Sequence, residues 1–165
     1  MKSDTSNYAT LDILVGFWST TIKMLGSDDD DAVVYADDVY RWMAGNRFLL
    51  HDLHAVLKTG EITGLEIISP TERPGIFATR SYNSIGTILD AQMSLKEGVW
   101  ESVSHTQRFK GRIAEDGQSV NGQWEPLQSG RWEPWMQIEL RKKARADPSK
   151  PRNQDMTPWA GPVTS

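Results

Sequence analysis

Gly16-Phe17-Trp18 opens an alternating run that continues to Leu25, and this stretch decides the fold. The side chains on one side of the run are Trp18, Thr20, Ile22 and Met24. A period of two predicts a β-strand with one buried face. About ten such short segments follow one another along the chain, and a sheet of that size leaves fewer open edges when it closes. We therefore predict an all-β protein, a closed antiparallel meander barrel whose interior has room for a small molecule.

Turn signals divide the chain at regular intervals and set the expected strands. The predicted strands cover residues 17–25, 33–43, 47–57, 61–69, 75–83, 87–95, 99–104, 107–113, 119–124 and 132–142. Gly45-Asn46 is a plausible tight hairpin turn between the second and third of them. A short capped helix is expected within residues 3–15, with Asp4, Thr5 and Ser6 as candidate N-caps. A two-sheet sandwich of the same strands is the competing arrangement.

The end of the chain changes character after Lys143. Residues 1–143 are predicted to form one barrel domain, and residues 144–165 an irregular tail that is basic and rich in proline. Trp159 lies in this tail and suggests an anchor that docks on the barrel or on a neighbouring subunit, so a homodimer is one expected state. The acidic run Asp28 to Asp31 reads as a solvated loop, because it lacks the glycine and the closing glutamate of a helix-loop-helix calcium site.

Composition excludes several classes of protein. The 165 residues carry a net charge of -4 and no cysteine, which removes disulfides and thiolate chemistry. The acidic body argues against a nucleic-acid surface, and no apolar run is long enough for a membrane span. The first residues also lack the apolar stretch of a secretory signal, so we expect a cytoplasmic protein with neither nucleic-acid nor membrane partners.

Several motifs resemble known barrels. Gly16-Phe17-Trp18 after a short helix resembles the opening of the lipocalin and calycin barrels. The run Tyr40-Arg41-Trp42-Met43-Ala44-Gly45-Asn46-Arg47-Phe48-Leu49 is similar to a bacterial family known only as a domain of unknown function. Further likenesses to that family lie in residues 64–68, 82–86, 108–111 and 119–124. The resemblance covers residues 8–142 and implies a calycin-like barrel without an established activity.

The resemblance also bears on cofactors. Related barrels include a haem-binding group whose proximal histidine lies late in the chain. The last histidine here is His105, and the final predicted strand has none. We therefore expect no haem and no other cofactor.

The histidine cluster His51-Asp52-Leu53-His54 is the densest group of chemically active side chains. Residues 51 and 54 differ by an odd number, so on a strand they face opposite sides and do not chelate one metal ion. No metal site is expected. The face that carries Leu49, Leu53 and Leu57 is the one we predict to point inward, which would place His51 among apolar walls.

An inward His51 suggests acid–base chemistry, because an unperturbed imidazole titrates near pH 6.5. The candidate catalytic residues are His51, Tyr82 and Glu66. A hydrogen-bonded core histidine is the competing interpretation. On the catalytic or binding interpretation, His51→Ala would change ligand affinity or turnover with only a modest effect on stability.

Other polar and aromatic side chains could hold a ligand. The candidate ligand-binding residues are Trp42, Arg80, Tyr40, Trp100, Met93 and Phe109. Arg80 would either lie in the cavity with Glu66 as its partner or form an ion pair on the outer face. The tryptophans would line the cavity or simply fill the core. Trp18 is expected to fill one closed end of the barrel, with Arg141 stacked across it.

Three functions remain open. The preferred one is binding of a small apolar or amphipathic molecule in the barrel cavity, because no nucleophile–base pair is legible at fixed spacing. The second is a cofactor-independent isomerase, lyase or hydrolase that uses His51 with a nearby acid or tyrosine. The third is a scaffold that acts through its outer face and its tail. No phosphate-binding loop, His-Glu-x-x-His or Gly-x-Ser-x-Gly motif occurs.

Overall fold

The computed structural model describes residues 5–26 and 33–144. Within these residues the chain forms one short helix, a 3-10 turn and eleven strands. The helix α1 (Thr5–Leu11) leads into the 3-10 turn (Asp12–Leu14). The strands are β1 (Gly16–Met24), β2 (Val33–Trp42), β3 (Leu49–Leu57), β4 (Gly60–Pro70), β5 (Ile76–Asn83), β6 (Ile88–Lys96), β7 (Val99–Val103), β8 (Gln107–Ile113), β9 (Ser119–Gln128), β10 (Arg131–Trp132) and β11 (Met136–Lys142).

Ten of these strands, all except the two-residue β10, close into an antiparallel barrel. Each strand from β1 to β9 pairs with the next, and β11 joins β9 to β1. The short β10 pairs with β9 at Arg131↔Gln128, on the same edge that β11 then follows from Met136↔Trp124. Pro134, which has no N–H to donate, lies in the break between them. The predicted meander barrel is confirmed, and the alternative of an open two-sheet sandwich is wrong because the first and last strands pair.

Alternation along each strand separates an inner from an outer face. The inner side chains meet in one core, of which the largest fully buried members are Trp18, Phe77, Leu11, Leu14, Leu49, Ile68, Met93 and Val120. Phe109 lies over the paired glycines Gly111 and Gly122, where a Cβ on either would approach its ring within 2.6 Å or 2.4 Å. The core therefore requires glycine at both positions.

One end of the barrel is closed by α1 and the 3-10 turn. Leu11 and Leu14 are fully buried there, and the Trp18 indole donates a hydrogen bond to the Leu14 carbonyl at 2.8 Å. The side chain that covers Trp18 is Lys142, whose ammonium lies 5.0 Å from the ring centroid and donates to the Ile13 carbonyl at 3.0 Å. The expectation that Arg141 would stack here is wrong. Arg141 lies one residue away on the opposite face, where it pairs with Glu139.

The turn between β2 and β3 is wider than expected. Gly45 and Asn46 both have positive φ, as a hairpin turn requires, at 89° and 52°. β2 nevertheless ends at Trp42 and β3 begins at Leu49 rather than at residue 47, and the Met43 N–H donates to the Phe48 carbonyl between them. The turn is a six-residue loop.

Several predicted features lie outside the described residues. These are the Asp4 cap, the loop Asp28 to Asp31, and residues 145–165 with Trp159. Within the part of the chain that the structure does describe, no helix combines the length and apolar character needed to cross a membrane.

Candidate functional site

A cavity of about 190 Å³ occupies the half of the barrel opposite α1. Asn83 at the end of β5, Gln107 at the start of β8 and Ser104 just after β7 line its wall. Apolar lining comes from Leu53, Leu65, Leu89, Ala91 and Trp124. Hydroxyl groups are contributed by Thr79, Ser81 and Ser102. A concave site of mixed apolar and polar lining is the usual form of a small-molecule site.

The alternation of β3 places His51 in this cavity. Leu49 and Ala55 on the same face are buried, whereas Val56 on the opposite face is 56% exposed. The leucine face therefore points inward, as predicted. His54 lies on the outer face, where its Nε2 is 3.3 Å from a Glu61 carboxylate oxygen.

Two carboxylates hold the His51 ring from both sides. Nε2 lies 2.6 Å from Asp38 Oδ1, and Nδ1 lies 3.1 Å from Glu66 Oε2. Asp38 comes from β2 and Glu66 from β4, the two strands that flank β3. Both are on the inner face, so the barrel brings to His51 two carboxylates that lie 13 and 15 residues away from it along the chain.

Two neighbours complete this cluster. The Thr20 hydroxyl of β1 donates to Asp38 Oδ2, so both oxygens of that buried carboxylate accept a hydrogen bond. The Tyr40 ring stacks on the imidazole, with centroids 4.1 Å apart and an interplanar angle of 6°. Packing and hydrogen bonds together fix the orientation of the imidazole.

The surroundings of His51 decide its charge. Burial acts to lower the pKa of His51, but the hydrogen bonds and negative charges of Asp38 and Glu66 outweigh burial and raise that pKa to about 9. At neutral pH the ring is an imidazolium that donates one N–H to each carboxylate. Burial, followed by the charges of Asp38 and Glu66, raises the pKa of Tyr40 well above 10, so its ring carries a neutral phenol.

This charge state corrects the expected chemistry. A protonated imidazole with both N–H groups donated cannot accept a proton at neutral pH, so His51 is not poised as a general base. Glu66 is the more accessible of the two carboxylates, with 23% of its side chain exposed against 6% for Asp38. It also lines the cavity. Glu66 is therefore the group of this cluster that a molecule in the cavity meets as an acceptor.

Arg80 does not lie in the cavity. On β5 the inner positions are Phe77 and Thr79, both buried, so Arg80 lies on the outer face. There Nε and Nη2 donate to the two oxygens of Asp90, at 2.7 Å and 2.8 Å. The expectations of an inward Arg80 and of a Glu66 partner are wrong. Arg80 forms a bidentate ion pair with Asp90 outside the barrel, and the carboxylate of Glu66 is instead hydrogen-bonded to His51.

Tyr82 shares the outward-facing positions of β5 with Arg80. It is 40% exposed, although residue 82 contributes to the lining of the cavity at the end of the strand. Tyr82 is thus separated by the sheet from the His51 cluster, with which it was grouped as a candidate catalytic residue.

The aromatic and methionine candidates divide between the core and the closed end. Tyr40, Met93, Trp100 and Phe109 are buried members of the core. Trp100 packs edge-on against Tyr40 and Phe109, and its buried Nε1 has no hydrogen-bond acceptor among the described residues. Trp42 donates to Asp12 Oδ1 at 2.8 Å and contacts Tyr8 near α1. Tyr40 supports the site from behind His51, and the others pack around or away from it.

Sequence reasoning missed Asp38 and Thr20. The alternation of β2 put Asp38 on the same face as Tyr40 and Trp42, and that of β1 put Thr20 beside Trp18. A charged residue on an otherwise aromatic face was the available signal that it has a buried partner. The partner could not be named without the register of three strands. Within residues 5–26 and 33–144, no set of three or more His, Asp or Glu side chains is arranged to hold a metal ion.

Comparison with known proteins agrees with this architecture. No family model and no curated protein matches the chain. Among solved structures, the barrel is similar to Rv2717c from M. tuberculosis, with a TM-score of 0.58 and 13% identity over 84% of this chain and 98% of that one. It is also similar to the S-type phycobiliprotein lyase CPES from Guillardia theta, with a TM-score of 0.54 and 11% identity over 85% of this chain and 94% of that one. The chain therefore has a calycin/lipocalin-type barrel, and at these identities the likeness shows the fold alone.

Proposed function

We propose that this protein binds a small amphipathic molecule in the cavity above His51. The observation that carries the proposal is the pairing of an apolar wall, formed by Leu53, Leu89 and Trp124, with a polar floor at His51 and Glu66. An apolar surface supplies affinity and a few fixed polar groups supply orientation. The similarity to a phycobiliprotein lyase supports ligand binding in such a barrel only in general terms.

The size of the cavity sets the size of the ligand. An apolar cavity of about 150 Å³ in a protein admits benzene. A cavity of about 190 Å³ accordingly fits one ring with a short polar substituent. No family model matches the chain, so membership of the bacterial family of unknown function that the sequence resembles is a proposal that rests on the quoted motifs alone.

Filling the cavity tests the proposal. We expect Ala91→Leu and Ser81→Leu each to weaken binding of benzyl alcohol at least about tenfold, because both residues line the cavity and the added carbons occupy the space of the ring. Titration calorimetry would measure the change.

The matched control is Ala78→Leu, which adds the same carbons on the exposed outer face of β5. It should leave the affinity for benzyl alcohol unchanged. Unaltered affinity in both cavity variants, or no binding of benzyl alcohol by the unmodified protein, would contradict the proposal. Where both cavity variants weaken binding, native mass spectrometry of protein purified from its own host identifies the molecule that the cavity retains.

A second candidate function is proton transfer in the same cavity. The observation that favours it is the contact of 3.1 Å between His51 and Glu66 at the cavity wall. In this scheme Glu66 accepts a proton from the substrate and the His51 imidazolium stabilises the local charge.

Ring opening of 5-nitrobenzisoxazole tests this second function, because a base removes one carbon-bound proton while the N–O bond breaks. We expect Glu66→Gln to lower the rate at least about a hundredfold, which is the low end of the contribution of a positioned base. The control is Glu61→Gln, which lies on the same strand but on the outer face of the barrel, beside His54. A rate that Glu66→Gln does not change would remove Glu66 as the base.

A further inference from the structure

The charged groups at the cavity wall are few. Of the described residues that line it, only His51 and Glu66 carry a formal charge at neutral pH. No lysine or arginine is among these lining residues, and Arg80 lies outside with Asp90. Directly behind His51 lies Asp38, so two carboxylates accompany one imidazolium. The floor of the cavity therefore carries an excess of negative charge.

The imidazolium does not offset this excess for a ligand. Its two N–H groups already donate to Asp38 and Glu66, at 2.6 Å and 3.1 Å. An anionic ligand would have to approach a cation whose donors are occupied and whose flanks are carboxylates. Such an approach removes hydration from the anion without returning a hydrogen bond.

Glu66 presents an acceptor that is not used. Its Oε2 accepts from His51, and the described residues give its Oε1 no hydrogen-bond donor. Glu66 keeps 23% of its side chain exposed, on the side where it lines the cavity. A charge-assisted hydrogen bond from an ammonium group would satisfy that oxygen.

The wall of the same cavity adds an aromatic ring. Trp124 lines it and packs at 5.4 Å against Phe109. Tryptophan is the aromatic side chain that attracts cations best, and the attraction grows when water is excluded. A molecule that fills about 190 Å³ meets both the Glu66 wall and the Trp124 wall.

We infer that the cavity selects a small aromatic or alkyl ammonium ion over a carboxylate or phosphate of the same shape. This inference rests on the proposed binding function and specifies its ligand class. Glu66 is the group that distinguishes the charges, and Asp38 maintains the negative excess behind His51.

Three one-ring probes at pH 7 test the inference: benzylamine, which is a cation, benzyl alcohol, which is neutral, and benzoate, which is an anion. We expect benzylamine to bind the unmodified protein at least about tenfold more tightly than benzoate, with benzyl alcohol between them. Titration calorimetry at low salt would measure all three dissociation constants.

Variants assign the preference to its residue. Glu66→Gln keeps an acceptor for His51 Nδ1 but removes the charge, so it should remove the preference for benzylamine and leave benzyl alcohol binding. The control is Glu61→Gln, which makes the same replacement of Glu by Gln next to His54 on the outer face and should preserve the preference for benzylamine.

Each outcome is decisive. Binding of benzyl alcohol with benzylamine no tighter than benzoate would overturn the inference while the proposed function stands. Failure of all three probes to bind would overturn the proposed function as well. A preference for benzylamine that survives Glu66→Gln would overturn the role of Glu66.

Discussion

Replacement of His51 by leucine should lower the free energy of unfolding by about 3–5 kcal/mol, the range found when one partner of a buried ion pair is removed. His51 is the shared partner of two carboxylates, and the side chains of His51 and Asp38 are 16% and 6% exposed. His51→Leu would leave Asp38 and Glu66 close together without a cation between them. Urea unfolding followed by tryptophan fluorescence at pH 7 measures the loss.

Two further variants separate charge from packing. Adding Asp38→Asn to His51→Leu removes one uncompensated buried charge and should recover part of the lost stability. His54→Leu on the outer face breaks only an exposed contact with Glu61 and should change stability by no more than about 0.5 kcal/mol. Equal effects of His51→Leu and His54→Leu would show that the inner cluster contributes no more than a surface pair.

This expectation revises the one drawn from the sequence. As a lone imidazole on an apolar face, His51 could be replaced with little loss of stability. The structure gives it two carboxylate partners, one of them with the additional Thr20 hydrogen bond. Loss of stability and loss of binding should therefore occur together in His51 variants, which makes Glu66→Gln the better test of function.

The stability of the protein should also fall as the pH rises from 6.5 to about 9. The folded state raises the pKa of His51 to about 9, because its bonds to Asp38 and Glu66 outweigh the effect of burial, whereas the unfolded chain has the ordinary value of 6.5. A raised histidine pKa contributes stability that is fully present below pH 6.5 and is lost as the pH passes through the folded value. The contribution is on the order of 3 kcal/mol.

Urea unfolding at pH 6.5 and pH 9.5 measures this effect, and His51→Gln is the reference that isolates it. The difference in unfolding free energy between the unmodified protein and His51→Gln should shrink as the pH rises. The other titratable groups that face the ring are Asp38, Glu66 and Tyr40, and the pKa of Tyr40 is raised well above 10, beyond this interval. An imidazole of His51 that titrates near pH 6.5 by NMR in the folded protein would contradict the described cluster.

The sequence by itself determined the barrel and the division of each strand into two faces. Alternation between apolar and polar residues identifies a strand locally, because successive side chains point to opposite faces. The same rule separated His51 from His54 and put His51 on one face with Leu49 and Leu53. Gly16-Phe17-Trp18 marked the strand at the closed end, where Trp18 is buried against Leu14.

Only the tertiary structure decided which inner residues meet. The contact of His51 with Asp38 and Glu66 depends on the register of β2, β3 and β4, and a shift of one residue would turn each side chain to the other face. Arg80 is a second example. The sequence showed which residues share its face of β5, but not whether that face points into the barrel or away from it. Local periodicity gives two faces, and only closure of the sheet decides which face becomes the interior. The charge of His51, and with it the chemistry of the cavity, follows from that closure.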